Sequence, residues 1–406
     1  MDRYTPAAKL DGCSSIDRYE LQRTLGEGTF GHVHQGLFKQ TGTPVALKEI
    51  IVHKKSEGMP ITALREIKIM KALRHANLLH VLDMAVKREY DEDRKPLLSK
   101  FYMVMAYMDH DLCGLLHNRT IMFKLPVIKL YMSQLLAGVA FLHDMQYMHR
   151  DMKSANILVS NDGNVKIADF GLARKFVEAP PDASSTPSAT RRYTPMVVTR
   201  WFRPPELLLG DEYYTAAIDM WGVGCIFGEF FKRREILPGN TELDQINRIF
   251  DLVGTPTDAT MPTFTQLPNA RDLMPLAEKP GSLREVFHNV PDDALKLLQG
   301  LLTLDPMKRL TAKGALQHRF FTEGAPPARP EELPQYPSSR ELDVREKRRD
   351  PSPLPPPPPK RQNRARAFNP KIMKRELHGI ELIPPYRRRA RPGEDRQAVM
   401  SNGLNY

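Results

Sequence analysis

His149-Arg150-Asp151-Met152-Lys153-Ser154-Ala155-Asn156, followed along the chain by Asp169-Phe170-Gly171, is the stretch that decides how this sequence folds. An aspartate and an asparagine five apart on a tight loop can face one centre, Asp151 toward a hydroxyl and Asn156 toward a metal. Asp169 sits at a turn, where its carboxylate has the character of a Mg2+ ligand.

Two motifs precede this stretch. In Gly26-Glu27-Gly28-Thr29-Phe30-Gly31-His32-Val33 the glycine spacing lets backbone N–H groups close over phosphates, although a glycine-bearing hairpin has the same signature. A dinucleotide-binding reading requires the glycines to open a helix. Here His32-Val33-His34-Gln35-Gly36 continues as a strand, which disfavours a Rossmann fold. Val45-Ala46-Leu47-Lys48 follows one hairpin later. A lysine in such a strand is commonly an edge residue with its charge in water. The glycine loop before it and Glu66 after it support a second reading, an ion pair that holds Lys48 toward the α and β phosphates.

The pattern around these motifs changes once. Residues 19–25, 32–38, 43–52, 79–86 and 101–107 alternate as strands, interrupted by one amphipathic helix over 61–73 that Pro60 and Thr62 open. Beyond Tyr107 longer helical periods take over, at 126–143, 215–231, 242–253 and 291–303. The expected architecture is α+β: a small β-rich lobe over 19–107 and a larger helical lobe over 108–321. Residues 1–18 form an N-terminal extension and 322–406 a basic Pro/Arg-rich tail.

Charge is concentrated in that tail. Of 59 basic and 48 acidic residues, 18 and 10 lie from Ala328 onward, leaving 41 and 38 in the rest. The tail also holds 14 of the 35 prolines. Such a segment buries too little apolar surface to offset its ordering entropy, so disorder or loose docking is expected. The polar insert Glu178–Arg192 is expected to be a mobile loop. Three distant cysteines exclude a disulfide scaffold and offer no zinc-ligand spacing. The N-terminus has no apolar core after its charges, and the run Trp221–Phe231 is too short to span a bilayer; a soluble intracellular protein is expected.

The four motifs, in this order, resemble those of the eukaryotic protein kinases over residues 19–321. Arg203-Pro204-Pro205-Glu206, Asp219-Met220-Trp221-Gly222 and Arg309 stand where that family braces its large lobe, with Arg309 pairing Glu206. Pro60-Ile61-Thr62-Ala63-Leu64-Arg65-Glu66 is similar to the cyclin-binding helix of the transcriptional branch of the cyclin-dependent kinases, the group of cyclin-dependent kinase 9 and its fungal relatives. Met105 in place of a gatekeeper phenylalanine, Phe202 in place of tyrosine, and the Glu178–Arg192 insert depart from the usual pattern.

The resemblance implies a cyclin-dependent, proline-directed serine/threonine kinase that uses ATP and Mg2+. Its nucleotide would lie among Leu25, Gly26, Glu27, Gly28, Thr29, Phe30, Gly31, His32, Val33, Lys48, Ala106 and Met108, with Asp111 toward the ribose. Asp151 would accept or orient the substrate hydroxyl, Lys153, Lys48 and Glu66 would complete the catalytic set, and Asn156 and Asp169 would bind the metal. Arg65, Arg150 and Arg174 would converge on phosphorylated Thr194. A cyclin would swing the Glu66 helix inward, leaving the isolated chain nearly inactive. The implied substrate is the heptad repeat of RNA polymerase II, in the nucleus. A cell-cycle or other proline-directed kinase fits the same catalytic residues. A dead scaffold would require loss of Lys48, Asp151 or Asp169, and all three are present. The basic clusters at 345–349, 360–366 and 387–389 read as a nuclear import signal, as a weak RNA contact, or as a solubilising tail.

Overall fold

The computed structural model describes residues 13–28, 31–52, 59–88, 99–176 and 192–340. Thr29, Phe30, most of the Glu178–Arg192 insert and the basic clusters beyond residue 340 lie outside the described residues. The contacts divide the chain into a unit to Pro351 and a second from Ser352, and the described residues all belong to the first.

The first lobe is one sheet. Its strands are β1 (Ser14–Ser15), β2 (Tyr19–Gly28), β3 (Gly31–Phe38), β4 (Thr43–Ile50), β5 (Val81–Lys87) and β6 (Lys100–Ala106), in the order β1-β5-β6-β4-β3-β2. Every pairing is antiparallel except β1 with β5. Residues 14–18 thus belong to this lobe, with Ser14 Oγ donating to Asp83 at 2.6 Å. The period of two in β4 sorts its residues onto two faces. Val45 and Leu47 turn to a small outer core with Ile16, Tyr19, Phe38, Tyr102 and Val104. Ala46 and Lys48 turn the other way. Helix α1 (Ile61–Ala72) fills the gap between β4 and β5 and buries Ile69 and Met70 in the main core.

The second lobe begins with β7 (His110–Asp111), α2 (Leu112–His117) and α3 (Leu125–Asp144). Strands β8 (Tyr147–Met148), β9 (Ile157–Val159), β10 (Val165–Ile167) and β11 (Arg174–Lys175) carry the short loops of the site. Helices α4 (Pro205–Leu208), α5 (Ala217–Lys232), α6 (Glu242–Val253), α7 (Leu283–Val286), α8 (Asp292–Leu301), α9 (Ala312–Leu316) and α10 (Arg319–Thr322) complete it. α3 is long and apolar enough to cross a membrane by composition, but Met132, Leu135, Leu136, Val139 and Leu142 are buried in this lobe's core. α5 is mostly apolar and buried almost throughout, as a central core helix should be, with Asp219 and Glu229 the buried acidic exceptions. Its Gly222 lies so close to the catalytic loop that a Cβ there would come within 2.7 Å of Met152. α6 is capped by Thr241, whose hydroxyl accepts from Asp244 N at 3.0 Å, with Glu242 and Asp244 in the first turn.

The segment after Thr322 corrects the expectation of a loose tail as far as residue 340. It runs across the large lobe, held mainly through backbone atoms: Ala328 N to Pro126 O at 2.9 Å, Tyr336 N to Asn161 Oδ1 at 3.0 Å, and Asp111 N to Ser339 O at 3.2 Å. Buried Lys129 donates to the carbonyls of Glu323 and Ala325, both at 2.7 Å. Composition missed this because backbone hydrogen bonds need no apolar side chains.

Candidate active site

A cavity of about 240 Å³ opens between the strand lobe and the catalytic loop. Leu25, Gly26, Gly31, Val33, Ala46 and Lys48 line it from the sheet, Met105 and Ala106 from the end of β6, Met108 from the segment after it, and Asn156, Leu158, Ala168 and Asp169 from below. Gly31 has φ +142°, and a Cβ there would lie 1.8 Å from Glu49 O, so this turn of the glycine loop accepts no side chain.

Lys48 Nζ lies 2.6 Å from Glu66 Oε1 and 4.0 Å from Asp169 Oδ1. Burial pushes the Glu66 carboxyl above its ordinary value, against the lowering pull of Lys48. The expectation that this pair needs a cyclin to form is corrected: it is closed in the single chain. Ala63, Ile69 and Met70 on α1 are buried, and α1 packs on the Phe170–Leu172 turn, which seats the helix inward.

Asp219, buried on α5, anchors the catalytic loop. Its two oxygens accept from His149 N and Arg150 N, each at 2.8 Å, and His143 Nε2 lies 2.9 Å from Oδ2. Arg150 and Asp169 hold left-handed φ values of 66° and 62°, backbone strain that the surrounding bonds impose at the site. At the loop's centre, Asp151 Oδ1 accepts from Thr199 Oγ1 at 2.8 Å, and Oδ2 meets Lys153 Nζ at 2.9 Å. Burial alone would raise the Asp151 carboxyl, but the Lys153 ammonium and the Thr199 hydroxyl hold it below its ordinary value.

The Asn156 side-chain nitrogen donates to Asp151 O at 2.8 Å and Asp151 Oδ2 at 3.0 Å, which leaves its carbonyl oxygen as a ligand. That oxygen and the Asp169 carboxylate form a sparse all-oxygen donor set. It suits a hard cation that keeps phosphate and water in its other positions.

Other expected residues fall elsewhere. His32 is exposed and does not line the cavity; its ring lies 6.3 Å from that of His34. Asp111 is absent from the lining, and its Oδ1 caps α2 by accepting from Gly114 N at 2.7 Å. The backbones of Glu27 and Gly28 end β2. Thr194 is exposed. Arg150 Nη1 donates to Tyr214 OH at 3.0 Å, which donates to Thr194 O at 2.9 Å. Arg65 and Arg174 are half-buried and without a hydrogen-bonding partner among the described residues. Several lining residues went unrecognised, among them Ala155, Leu158 and Ala168 beside the two metal-ligand candidates. Ala46 was readable from its alternation with Lys48, while Met70, Leu79 and Arg340 depend on tertiary placement. Arg340 reaches the site through the docked segment, where its guanidinium donates to Met108 O and lies 5.5 Å from the Tyr107 ring centre.

Below the site, Glu206 and Arg309 form a two-pronged pair at 2.7 and 2.9 Å, both side chains fully buried. Fold and site together have the layout of a two-lobed nucleotide phosphotransferase. The profile of the protein kinase domain matches residues 19–321, and the chain belongs to the protein kinase family. It is similar to serine/threonine-protein kinase bur1 of Emericella nidulans, 50% identical over 86% of this chain and 64% of that protein. It is also similar to the "Probable cyclin-dependent kinase 9" of Schizosaccharomyces pombe, 46% identical over 84% and 58%, and to cyclin-dependent kinase C-1 of Arabidopsis thaliana, 42% identical over 83% and 66%. The chain spans about three fifths of the length of these relatives.

Proposed function

We propose that this chain transfers the γ-phosphate of ATP to serine or threonine hydroxyls followed by proline, under the control of a cyclin. The heptad repeats of RNA polymerase II and elongation factors are its nuclear substrates. The observation that carries the phosphotransfer reading is the cluster at Asp151, one oxygen on Thr199 and the other on Lys153.

Phosphoryl transfer needs alignment and charge neutralisation more than covalent chemistry. The ionised Asp151 orients the incoming hydroxyl and receives its proton. Thr199 fixes the rotation of that carboxylate, and Lys153 meets charge developing on the phosphoryl oxygens. Lys48, steadied by Glu66, holds the nucleotide phosphates. Asn156 and Asp169 would hold Mg2+, which when bound would supply neutralisation of the phosphate oxygens.

Support for the proline preference comes from Val198. Its φ is 68°, its carbonyl accepts from Arg203 Nη2 at 3.0 Å, and Val197 O accepts from Arg203 Nε at 3.0 Å. With these carbonyls engaged, a substrate residue after the hydroxyl finds no acceptor for an N–H, and proline has none to satisfy. Support for a cyclin comes from α1, where Ile61 is 74% and Leu64 50% exposed on the helix that carries Glu66. Three cationic side chains and exposed Thr194 support control by phosphorylation of that threonine.

The test is to purify tagged chain from its own cells, identify the co-purifying cyclin, and compare a heptad Ser-Pro peptide, its Ser-Ala variant and a histone peptide. Transfer to Ser-Pro alone with a transcriptional cyclin bound is expected. A cell-cycle cyclin with histone preference would replace the transcriptional assignment.

A further inference from the structure

Arg200 follows Thr199 and opens the short turn Arg200–Phe202. Thr199 is bonded to Asp151 Oδ1, so Arg200 stands one residue from the contact with the carboxylate proposed to act on the substrate hydroxyl. It is exposed, and its Nη1 donates to Asn240 O at 2.9 Å. The neighbouring Trp201 Nε1 donates to Gly239 O at 3.0 Å. Two adjacent side chains thus grip two successive carbonyls of the loop before α6. That loop is itself fixed, with Gly239 N donating to Gln245 Oε1 at 3.0 Å and Asn240 N to Asp244 Oδ2 at 2.8 Å.

The charge of Arg200 is unspent. The carbonyl takes one guanidinium N–H and leaves the others. The acids that follow this loop on α6 have cations of their own: Glu242 lies 2.7 Å from Arg203 Nη1, and Asp244 3.0 Å from Arg248 Nε. Arg203 is committed further to the carbonyls of Val197 and Val198. Among the described residues no carboxylate forms an ion pair with Arg200. An arginine tied to a backbone carbonyl and left without an acid is preset to receive an anion, because part of its rotamer entropy is already lost before binding.

The order of the chain sets where that anion comes from. Val197 and Val198 mark the place of the proline after the target, Thr199 marks the target hydroxyl, and Arg200 lies beyond it, toward α6. A substrate extended along the same line brings the residues before its target to Arg200. At about 3.4 Å per extended residue, the reach of an arginine covers roughly the three positions before the target.

We infer that Arg200 is a specificity-determining residue: it selects substrates that carry an anionic side chain, a phosphate or a carboxylate, shortly before the Ser-Pro or Thr-Pro target. The inference rests on the phosphotransfer reading above and narrows its substrate class. A phosphate suits the site better than a carboxylate, since it brings more charge and three acceptor oxygens to a guanidinium that binds in a two-pronged way.

The full chain with its co-purified cyclin tests this on Ser-Pro peptides that differ only at a position before the target, which carries Ser, phosphoserine, Glu or Lys. The phosphoserine peptide should exceed the Ser peptide in kcat/KM on the order of tenfold, through KM, with the Lys peptide poorest. A gain shared by Glu supports selection of anions in general, and a gain confined to phosphoserine supports selection of substrates already phosphorylated. Arg200→Ala should bring the ratio of anionic to unmodified peptide close to one, Arg200→Lys should keep part of it, and Arg200→Glu should reverse it in favour of Lys. A purely structural Arg200 would lower all peptides together and leave the ratio intact. That result overturns the inference, as does a wild type indifferent to the anion. Fluorescence anisotropy of the same labelled peptides reads the preference without transfer. If no peptide is phosphorylated, the functional reading fails. Equal affinity for charged and uncharged peptides then overturns the inference about Arg200, and tighter binding of the anionic peptide that Arg200→Glu abolishes supports it.

Discussion

Thr199 and Asp151 come from segments far apart in the chain, yet Thr199 gives Asp151 Oδ1 both its hydroxyl, at 2.8 Å, and its backbone N–H, at 3.2 Å. The segment around Thr199 is thereby tied to the carboxylate proposed to act on the substrate hydroxyl. Because Thr199 and Lys153 hold Asp151 below its ordinary value despite burial, its ionised form persists as pH falls from 7 toward 5. For a depressed carboxylate, loss comes only when pH drops through the folded-state value. Wild-type kcat should show no acid limb from Asp151 above the normal carboxylate range. Thr199→Val should move that limb upward and lower kcat, as a pH–rate series will read; an unmoved limb would break the link.

The Lys48–Glu66 pair gives a second prediction. Glu66→Gln removes the charge that steadies the ammonium, and kcat should fall on the order of 10²-fold. Melting temperature should change little, because the buried Glu66 carboxyl is itself strained upward in pKa. Steady-state kinetics beside a melting curve separate the two effects.

Of the residues in these two predictions, Lys48, Glu66 and Asp151 were visible in the sequence, and the reason is physical. Lys48, Asp151, Asn156 and Asp169 sit in short motifs where glycine, turn and charge chemistry act locally, and strand alternation placed Lys48 on its face. Arg340 carried no such signal, because it arrives by backbone hydrogen bonds from a segment whose composition reads as unstructured. Thr199 carried no such signal either, because its bond to Asp151 depends on how the segment after Tyr193 folds back onto the loop. The closed state of Lys48 and Glu66 likewise depends on tertiary seating of α1.

The docked segment supplies a third prediction. Ending the chain at Thr322 removes the carbonyls of Glu323 and Ala325 from Lys129, which is only 4% exposed. Losing two hydrogen bonds made by a charged donor should cost roughly 1–3 kcal/mol. Denaturant unfolding of the truncated and full chains measures this; equal midpoints would show that the segment is not fastened as described.

Arg340 also covers the Met108 carbonyl. Arg340→Ala should therefore strengthen binding of ligands that donate a hydrogen bond to that carbonyl more than it changes ATP affinity. Competition binding with a matched ligand pair, with and without the donor, will read the difference.

The buried Glu206–Arg309 pair predicts a loss of stability rather than chemistry. Arg309→Met leaves Glu206 without a partner in the core and should cost about 3–5 kcal/mol. A thermal or urea transition checks the figure, and a variant as stable as the wild type would contradict it.

The central claim is that the carboxylate of Asp151, held by Thr199 and Lys153, drives phosphoryl transfer. Single-turnover transfer from γ-labelled ATP to a Ser-Pro peptide, comparing wild type with Asp151→Asn, tests it most directly. The account predicts a loss of 10²-fold or more in the Asn variant with ATP binding retained. Equal rates for the two proteins would contradict it.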